Sequence, residues 1–69
     1  MTIQEFFRFV PISNDTRTMV VGSGYFNGVD LSSGRFVMTN RNAVLNLDKD
    51  YELLSVSIYN NALCLEIRG

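Results

Sequence analysis

Residues 54–68 read Leu-Ser-Val-Ser-Ile-Tyr-Asn-Asn-Ala-Leu-Cys-Leu-Glu-Ile-Arg, with an apolar side chain at every second position on each side of the two asparagines. Such alternation is typical of strands with one buried face. Asparagine tolerates the positive φ angles of a two-residue turn, so Asn60-Asn61 predicts the turn of a hairpin. Closing it there pairs apolar residues on one face: Ile58 with Leu63, Val56 with Leu65, and Leu54 with Ile67. A shift by one residue would expose one apolar set, so turn and pattern predict the same register.

A second hairpin is predicted just upstream. Residues 35–38 and 43–47 are mostly apolar segments that flank the polar loop 39–42. Asp48-Lys49-Asp50 then predicts a turn into a strand that starts near Tyr51. Because each of these connections is short, residues 35–68 predict a four-stranded antiparallel meander.

The preceding segment predicts shorter strands. Residues 18–21 form an apolar run that ends at Gly22-Ser23-Gly24, which we interpret as a flexible turn. Residues 25–26 and 29–31 predict two short strand pieces around Asn27-Gly28.

Residues 2–10 fit two different structures. Thr2 and Glu5 have the spacing of a capping box, and Pro11 would end a helix that starts there. The apolar residues of that helix would share one face: Ile3, Phe6, Phe7 and Val10. The same segment is also rich in residues that favour strands. The sequence therefore leaves a strand and a short helix equally open.

Together these segments predict one small domain, residues 1–69, of the all-β, mainly antiparallel class. The expected architecture is a small barrel-like or strongly curved meander of five to six strands, with a short N-terminal helix as the variant. A chain of 69 residues buries only about 60% of its unfolded surface. Cys64 is the sole cysteine, so no internal disulfide can form. A partner or an oligomer is the remaining source of added stability.

Charge and hydropathy restrict the possible partners. Six basic and seven acidic residues give a net charge of −1, whereas nucleic-acid binders are normally basic. Nucleic acid is thus a possible but disfavoured partner. No apolar run approaches the roughly 18 residues of a membrane helix, so no membrane partner is predicted. The first residues carry Glu5 and Arg8 rather than a signal-peptide pattern, which makes the cytoplasm the default expectation.

No motif in the chain predicts catalysis. The chain has no histidine, so Cys64 lacks the usual base that would activate a thiol. Gly22-Ser23-Gly24 lacks the lysine of a phosphate-binding loop and the spacing of a nucleophile elbow. Asp48, Asp50 and Glu52 alternate but lack the glycine of a calcium loop, so a solvated turn is the better interpretation. We predict no enzyme activity, no catalytic residue, no metal site and no cofactor.

The aromatic residues give the best hypothesis for function. A small core accounts for about four or five of the five phenylalanines and three tyrosines. We expect Phe7 or Phe9, Tyr25 and Tyr59 at the surface. Tyrosine and arginine are typical of protein interfaces. The candidate protein-binding residues are accordingly Arg8, Phe9, Tyr25, Arg41 and Tyr59.

These residues favour a non-enzymatic protein-binding module. A small inhibitor or regulator from a phage or another mobile element is a setting that its size fits. One alternative is a nucleic-acid-binding small β-barrel, with Arg8, Arg35 and Arg41 on phosphates. The other is a structural subunit of a homo-oligomer that pairs through an edge strand or an apolar face.

Overall fold

The computed structural model describes residues 1–69 and contains a four-stranded mixed sheet with two short helices. In chain order the elements are α1 (Ile3–Phe9), β1 (Thr18–Ser23), β2 (Tyr25–Phe26), β3 (Val29–Asp30), a 3₁₀ turn (Leu31–Ser33), β4 (Val37–Thr39), α2 (Arg41–Leu45), β5 (Glu52–Tyr59) and β6 (Ala62–Arg68). The strand order in the main sheet is β4-β1-β6-β5. β2 and β3 form a separate two-stranded sheet around Asn27-Gly28, at the positions where short strands were predicted.

The prediction of an all-β, mainly antiparallel barrel or meander is wrong. β1 and β6 are parallel over six residue pairs, from Thr18–Leu63 to Ser23–Arg68. The sheet does not close, because β4 and β5 are its two edges. Two helices contribute to the fold, so it belongs to the mixed α/β class. Parallel pairing joins segments that are far apart in sequence, and local alternation carries no signal for it.

The β5–β6 hairpin follows the predicted register over most of its length. Ile58 pairs with Leu63 and Val56 with Leu65, and the turn residues Asn60 and Asn61 have φ angles of 50° and 63°. The third predicted pair is wrong, because a β-bulge between residues 53 and 55 puts Leu53, not Leu54, opposite Ile67. A bulge adds one residue to one strand and so shifts the pairing beyond it.

The second predicted hairpin is also wrong. Residues 37–39 form β4 as part of the sheet, but residues 41–45 form α2 instead of a strand. The side chain of Asn40 accepts a hydrogen bond from the Ala43 amide at 2.8 Å, which caps the helix and satisfies a free N–H group. Val44 then points into the core and is fully buried. Burial of Val44 and the Asn40 cap together favour a helix in a segment that local propensity assigns to a strand.

The N-terminal segment is a helix, and the capping box predicted for it is present. The Thr2 amide donates to Glu5 Oε1 at 2.8 Å, and the Glu5 amide donates to Thr2 Oγ1 at 3.2 Å. Asp50 adds a third contact, because its Oδ1 accepts from the Gln4 amide at 3.2 Å. The helix ends at Phe9, and after the capping residue Val10 comes Pro11, whose missing N–H prevents another turn.

One face of the sheet packs on both helices to form the core. α1 contributes Ile3, Phe6 and Phe7, and α2 contributes Val44. The strands and the loops around them contribute the other buried members: Val20, Phe26, Leu31, Tyr51, Leu63, Leu65 and Ile67. Because both helices lie on the same face, the other face of the sheet has no helix against it.

A buried glutamine joins the two helices. Gln4 is only 8% exposed, and its Nε2 donates to the carbonyl oxygens of Val44 at 3.2 Å and Leu47 at 2.9 Å. The Val44 carbonyl lies in the last turn of α2, where a helix leaves acceptors without a partner in the helix, and the Leu47 carbonyl lies just beyond it. The side-chain amide of Gln4 therefore fixes the position of α2 on the core.

Gly22 permits the close approach of β1 to β6. Its φ is +134°, and a Cβ at this position would lie 2.0 Å from the carbonyl oxygen of Ile67. Gly28 also has a positive φ of +85°, but a Cβ there would meet no atom within 4 Å. Both positions thus have torsion angles that are unfavourable for a residue with a side chain, but only Gly22 is also confined by neighbouring backbone atoms.

We expect Gly22→Ala to unfold the protein at room temperature. The clash would separate the central strands, and the whole free energy of unfolding of a domain this size is only about 3 to 10 kcal/mol. Gly28→Ala is the matched control and should cost about 1 to 2 kcal/mol through torsional strain alone. Urea denaturation followed by circular dichroism measures both. Equal destabilisation by the two variants would contradict the role given to Gly22.

Acid should weaken the N-terminal end of α1 through Asp50. Partial burial tends to raise the pKa of this carboxyl. Hydrogen bonds from the Thr2 hydroxyl and from the Gln4 and Tyr51 amides lower it, and so does the charge of Arg8. The lowering effects are the larger ones, so the pKa lies below its ordinary value of 3.8. The unfolded chain then binds more protons than the folded one near that pH. The contribution is therefore present above about pH 4 and lost as the pH falls through the lowered pKa.

We expect the wild type to lose more stability than Asp50→Asn between about pH 5 and pH 3, by less than about 1 kcal/mol because the carboxylate is solvent-exposed. Asp48→Asn is the control, since the amides of Gln4 and Tyr51 donate to Asp50 and not to Asp48. Thermal unfolding across this pH range gives the comparison. If Asp50→Asn keeps the full acid sensitivity, the cap contributes nothing to it.

Candidate functional site

The uncovered face of the sheet carries the most distinctive surface of the protein. Side chains alternate along each strand, so the residues between the buried ones point away from the helices. One row crosses all four strands and contains Met38, Met19, Cys64 and Ser57. We call this surface the outer face. Met19 and Cys64 on the central strands are half-buried, whereas Met38 and Ser57 on the edge strands are exposed.

A groove lies at one end of the outer face. It has a volume of about 270 Å³, and five of its seven lining residues are apolar. The lining residues are Arg17, Met19, Phe36, Met38, Tyr59, Asn60 and Ala62. Three of them are large and substantially exposed: Phe36 at 54%, Met38 at 45% and Tyr59 at 58%. The groove therefore collects apolar surface that the protein does not bury on its own core.

Backbone structure on two sides fixes the shape of this groove. The Asn60-Asn61 turn closes the β5–β6 hairpin and sets Tyr59 opposite Ala62. The Leu63 amide donates to the Arg17 carbonyl at 2.8 Å, which holds Arg17 beside the same hairpin end. On the other side, the pairing of Met19 with Met38 brings β4 against β1.

The opposite end of the outer face is polar. The Ser55 hydroxyl donates to Glu66 Oε1 at 2.9 Å, and Arg68 forms a 3.0 Å salt bridge with Glu52. This salt bridge is well exposed, so it adds little stability. Of the two glutamates at this end, Glu52 is thus in a salt bridge and Glu66 accepts a hydrogen bond from a neutral hydroxyl. At the groove end, Arg17 has no carboxylate within salt-bridge distance.

Of the five residues predicted to bind protein, the structure places only Tyr59 in the groove. Arg8 and Phe9 lie in the last turn of α1, with Phe9 71% exposed and Arg8 donating weakly to Gln4 Oε1 at 3.4 Å. Tyr25 is 61% exposed on β2, and Arg41 begins α2. These four residues therefore stand on other elements and do not join Tyr59 in one site.

Sequence reasoning missed most of the residues that line the groove. Met19 could have been found, because it lies between Thr18 and Val20, which are both buried, and alternation along β1 puts its side chain on the other face. Phe36 and Met38 lack such a signal, because β4 is too short to show a period. Phe7 was an alternative to Phe9 at the surface, but it is in the core at 1% exposure.

The polar groups at the groove are suited to binding. They comprise the Arg17 guanidinium, the Tyr59 hydroxyl and the Asn60 amide. Nowhere in the structure do three or more His, Cys, Asp or Glu side chains form a group that could hold a metal ion. Cys64 is a free thiol opposite Ser57. An apolar groove beside one cation can hold an apolar side chain and attract a carboxylate.

No helix in the structure is both long enough and apolar enough to cross a membrane. Comparison with known proteins assigns no family, because no protein-family model, curated protein or solved structure matches the chain. The function must therefore be inferred from the surface of the chain itself.

Proposed function

We propose that this protein is a non-enzymatic protein-binding module whose contact surface is the groove of the outer face. The observation that supports this proposal most is the convergence of Phe36, Met38 and Tyr59, each about half exposed, on one concave surface. Scattered exposed apolar residues are normal on a protein surface, but a contiguous patch marks an interaction site. Aromatic residues and methionine are also enriched in interfaces.

The groove suits a side chain of a partner protein. Its volume of about 270 Å³ lies just below the range of small-molecule pockets, which is about 300 to 1,000 Å³. Met19 and Met38 can adapt to partners of different shape, because methionine side chains are flexible and polarisable. An apolar anchor residue from the partner would be held between them and Tyr59.

Charge at the groove favours an acidic group in the partner next to that anchor. Arg17 lines the groove and has no ion-pair partner within the protein. A carboxylate of the partner could accept hydrogen bonds from its guanidinium while the anchor side chain fills the groove. The partner segment that we propose thus combines one apolar side chain with one nearby Asp or Glu.

A small inhibitor or regulator is the kind of activity that fits such a module. A chain of 69 residues that binds through one apolar groove can cover a surface of another protein, and it needs no chemistry to do so. We place it in the cytoplasm, where a reducing environment suits the free thiol of Cys64.

The groove is tested with a double variant, Phe36→Ala with Tyr59→Ala. Tagged wild type, used in nuclease-treated lysate, should retain a stoichiometric protein partner, and the double variant should bind the purified partner at least about tenfold more weakly. Phe9→Ala and Tyr25→Ala are the matched controls, because they remove equally exposed aromatic side chains from other elements. Titration calorimetry with the purified partner measures all four proteins. Unchanged affinity in the groove variant, or a loss in the controls alone, would refute the site.

Arg17→Ala tests the acidic group of the partner. We expect it to weaken binding about three- to tenfold and to reduce the dependence of affinity on salt, since one screened charge pair is lost. Arg41→Ala on α2 is the control and should change neither quantity. A salt dependence that is the same in wild type and Arg17→Ala would show that the partner brings no carboxylate to the groove.

A further inference from the structure

β5 is an edge strand whose free side is only partly covered. At its beginning, the Leu53 amide donates to the Met1 carbonyl at 2.9 Å, and the Ile3 amide donates to the Tyr51 carbonyl at 2.9 Å. The N-terminal residues thus occupy the edge at residues 51–53. Residues 55–59 continue the strand with no neighbour on that side. We call residues 55–59 the open edge.

The backbone of the open edge has a defined polarity. In a hairpin with a two-residue turn, the residues that flank the turn form a hydrogen-bonded pair, here Tyr59 and Ala62. Hydrogen-bonded pairs then recur at every second residue, so Ser57 also bonds to β6. Val56 and Ile58 consequently direct their N–H and C=O groups outward, away from the sheet.

The open edge has none of the features that normally block strand pairing. The sequence Ser-Val-Ser-Ile-Tyr contains no charge and no proline, and the β-bulge of the strand lies before it. Natural edge strands are usually protected by such features or covered by other elements. Val56 and Ile58 lie on the helix-facing side with Leu65 and Leu63, yet they are 44% and 71% exposed. Apolar side chains and free backbone groups are therefore exposed together.

We propose that two copies of the protein pair antiparallel along their open edges, with the two-fold axis at Ser57. This inference goes beyond the proposed function and does not depend on it. In this register Val56 of each copy lies opposite Ile58 of the other copy, so the outward backbone groups of both residues are satisfied. The two exposed apolar side chains become cross-strand neighbours, which is the pairing that stabilises antiparallel sheets.

A second copy fits this edge for two reasons. Two-fold pairing puts each surface against itself, and a neutral segment does so without bringing like charges together. At each end of the paired segment, one of the two copies reaches its residues 51–53, whose edge is already occupied by its own N-terminal segment. Pairing therefore stops after residues 55–59. The length of the open edge therefore matches a five-residue antiparallel contact centred on its middle residue.

Charge placed at the proposed axis tests this register. The wild type should change from 7.8 kDa to twice that mass as its concentration rises from about 5 µM to about 500 µM in analytical ultracentrifugation.

Ser57 is exposed and lies opposite Cys64, so a long side chain there leaves the monomer core intact. Ser57→Lys should raise the dissociation constant at least about tenfold, because two ammonium groups would face each other. Ser57→Glu should do the same, and an equimolar mixture of the two variants should regain the double mass.

The matched control is Ser23→Lys, which makes the same substitution at an exposed serine at the end of β1, away from the open edge and outside the groove, and should leave the dissociation constant unchanged. Circular dichroism confirms that each variant is folded. Hydrogen exchange gives a second measurement, since the amides of Val56 and Ile58 should be protected in concentrated wild type and exposed in Ser57→Lys. A strictly monomeric wild type at the highest concentration overturns the proposal. A dimer that survives both Ser57 variants, or a mixture that stays monomeric, overturns it as well.

Discussion

The parallel pairing of β1 with β6 is the contact on which the rest of the sheet depends. These two strands are the centre of the order β4-β1-β6-β5, and each edge strand is attached to one of them. Parallel neighbours cannot be joined by a tight turn, so the chain must travel through the intervening elements before it returns. Gly22 makes the contact possible by leaving room for the carbonyl of Ile67. The mixed topology thus includes one close backbone approach that requires a glycine.

The small size of the helices explains why so much of the sheet remains open. α1 has seven residues and α2 has five, which is enough to cover the middle of one face. Gln4 holds the two helices together through the carbonyls of Val44 and Leu47, so neither can shift to cover more. The side of β5 near Ile58 consequently stays exposed. The outer face stays open for a different reason, because both helices lie on the opposite face of the sheet.

The parts of the fold that the sequence predicts are the ones fixed by nearby residues. The alternation in β5 and β6 and the Asn60-Asn61 turn predicted the hairpin, and the spacing of Thr2 and Glu5 predicted a cap. α2 was missed because its apolar residues resemble a strand and its cap is a single asparagine. The β1–β6 pair was missed because no local pattern records which distant strand a segment will join.

The candidate site could be predicted less well than the fold, for a related reason. Its residues come from the start of β1, from β4 and from the β5–β6 turn, and they meet only after the parallel pair has formed. Exposure of Tyr25 and Tyr59 could be expected from the number of aromatic residues. The grouping of the groove residues could not be expected, because Tyr59 neighbours Met19 and Met38 only through the order of the strands.

The position of β6 in the chain has a consequence for synthesis on the ribosome. This strand supplies Leu63, Leu65 and Ile67 to the core and has a neighbour on both sides, yet it is translated after every other element of the sheet. Until it emerges, β1 lacks its parallel neighbour and β5 lacks its hairpin mate, so β1 and β4 are the only strands of the main sheet that already have each other as partners. Contacts between such distant residues also slow folding. The four-stranded sheet can therefore be completed only after β6 has been translated.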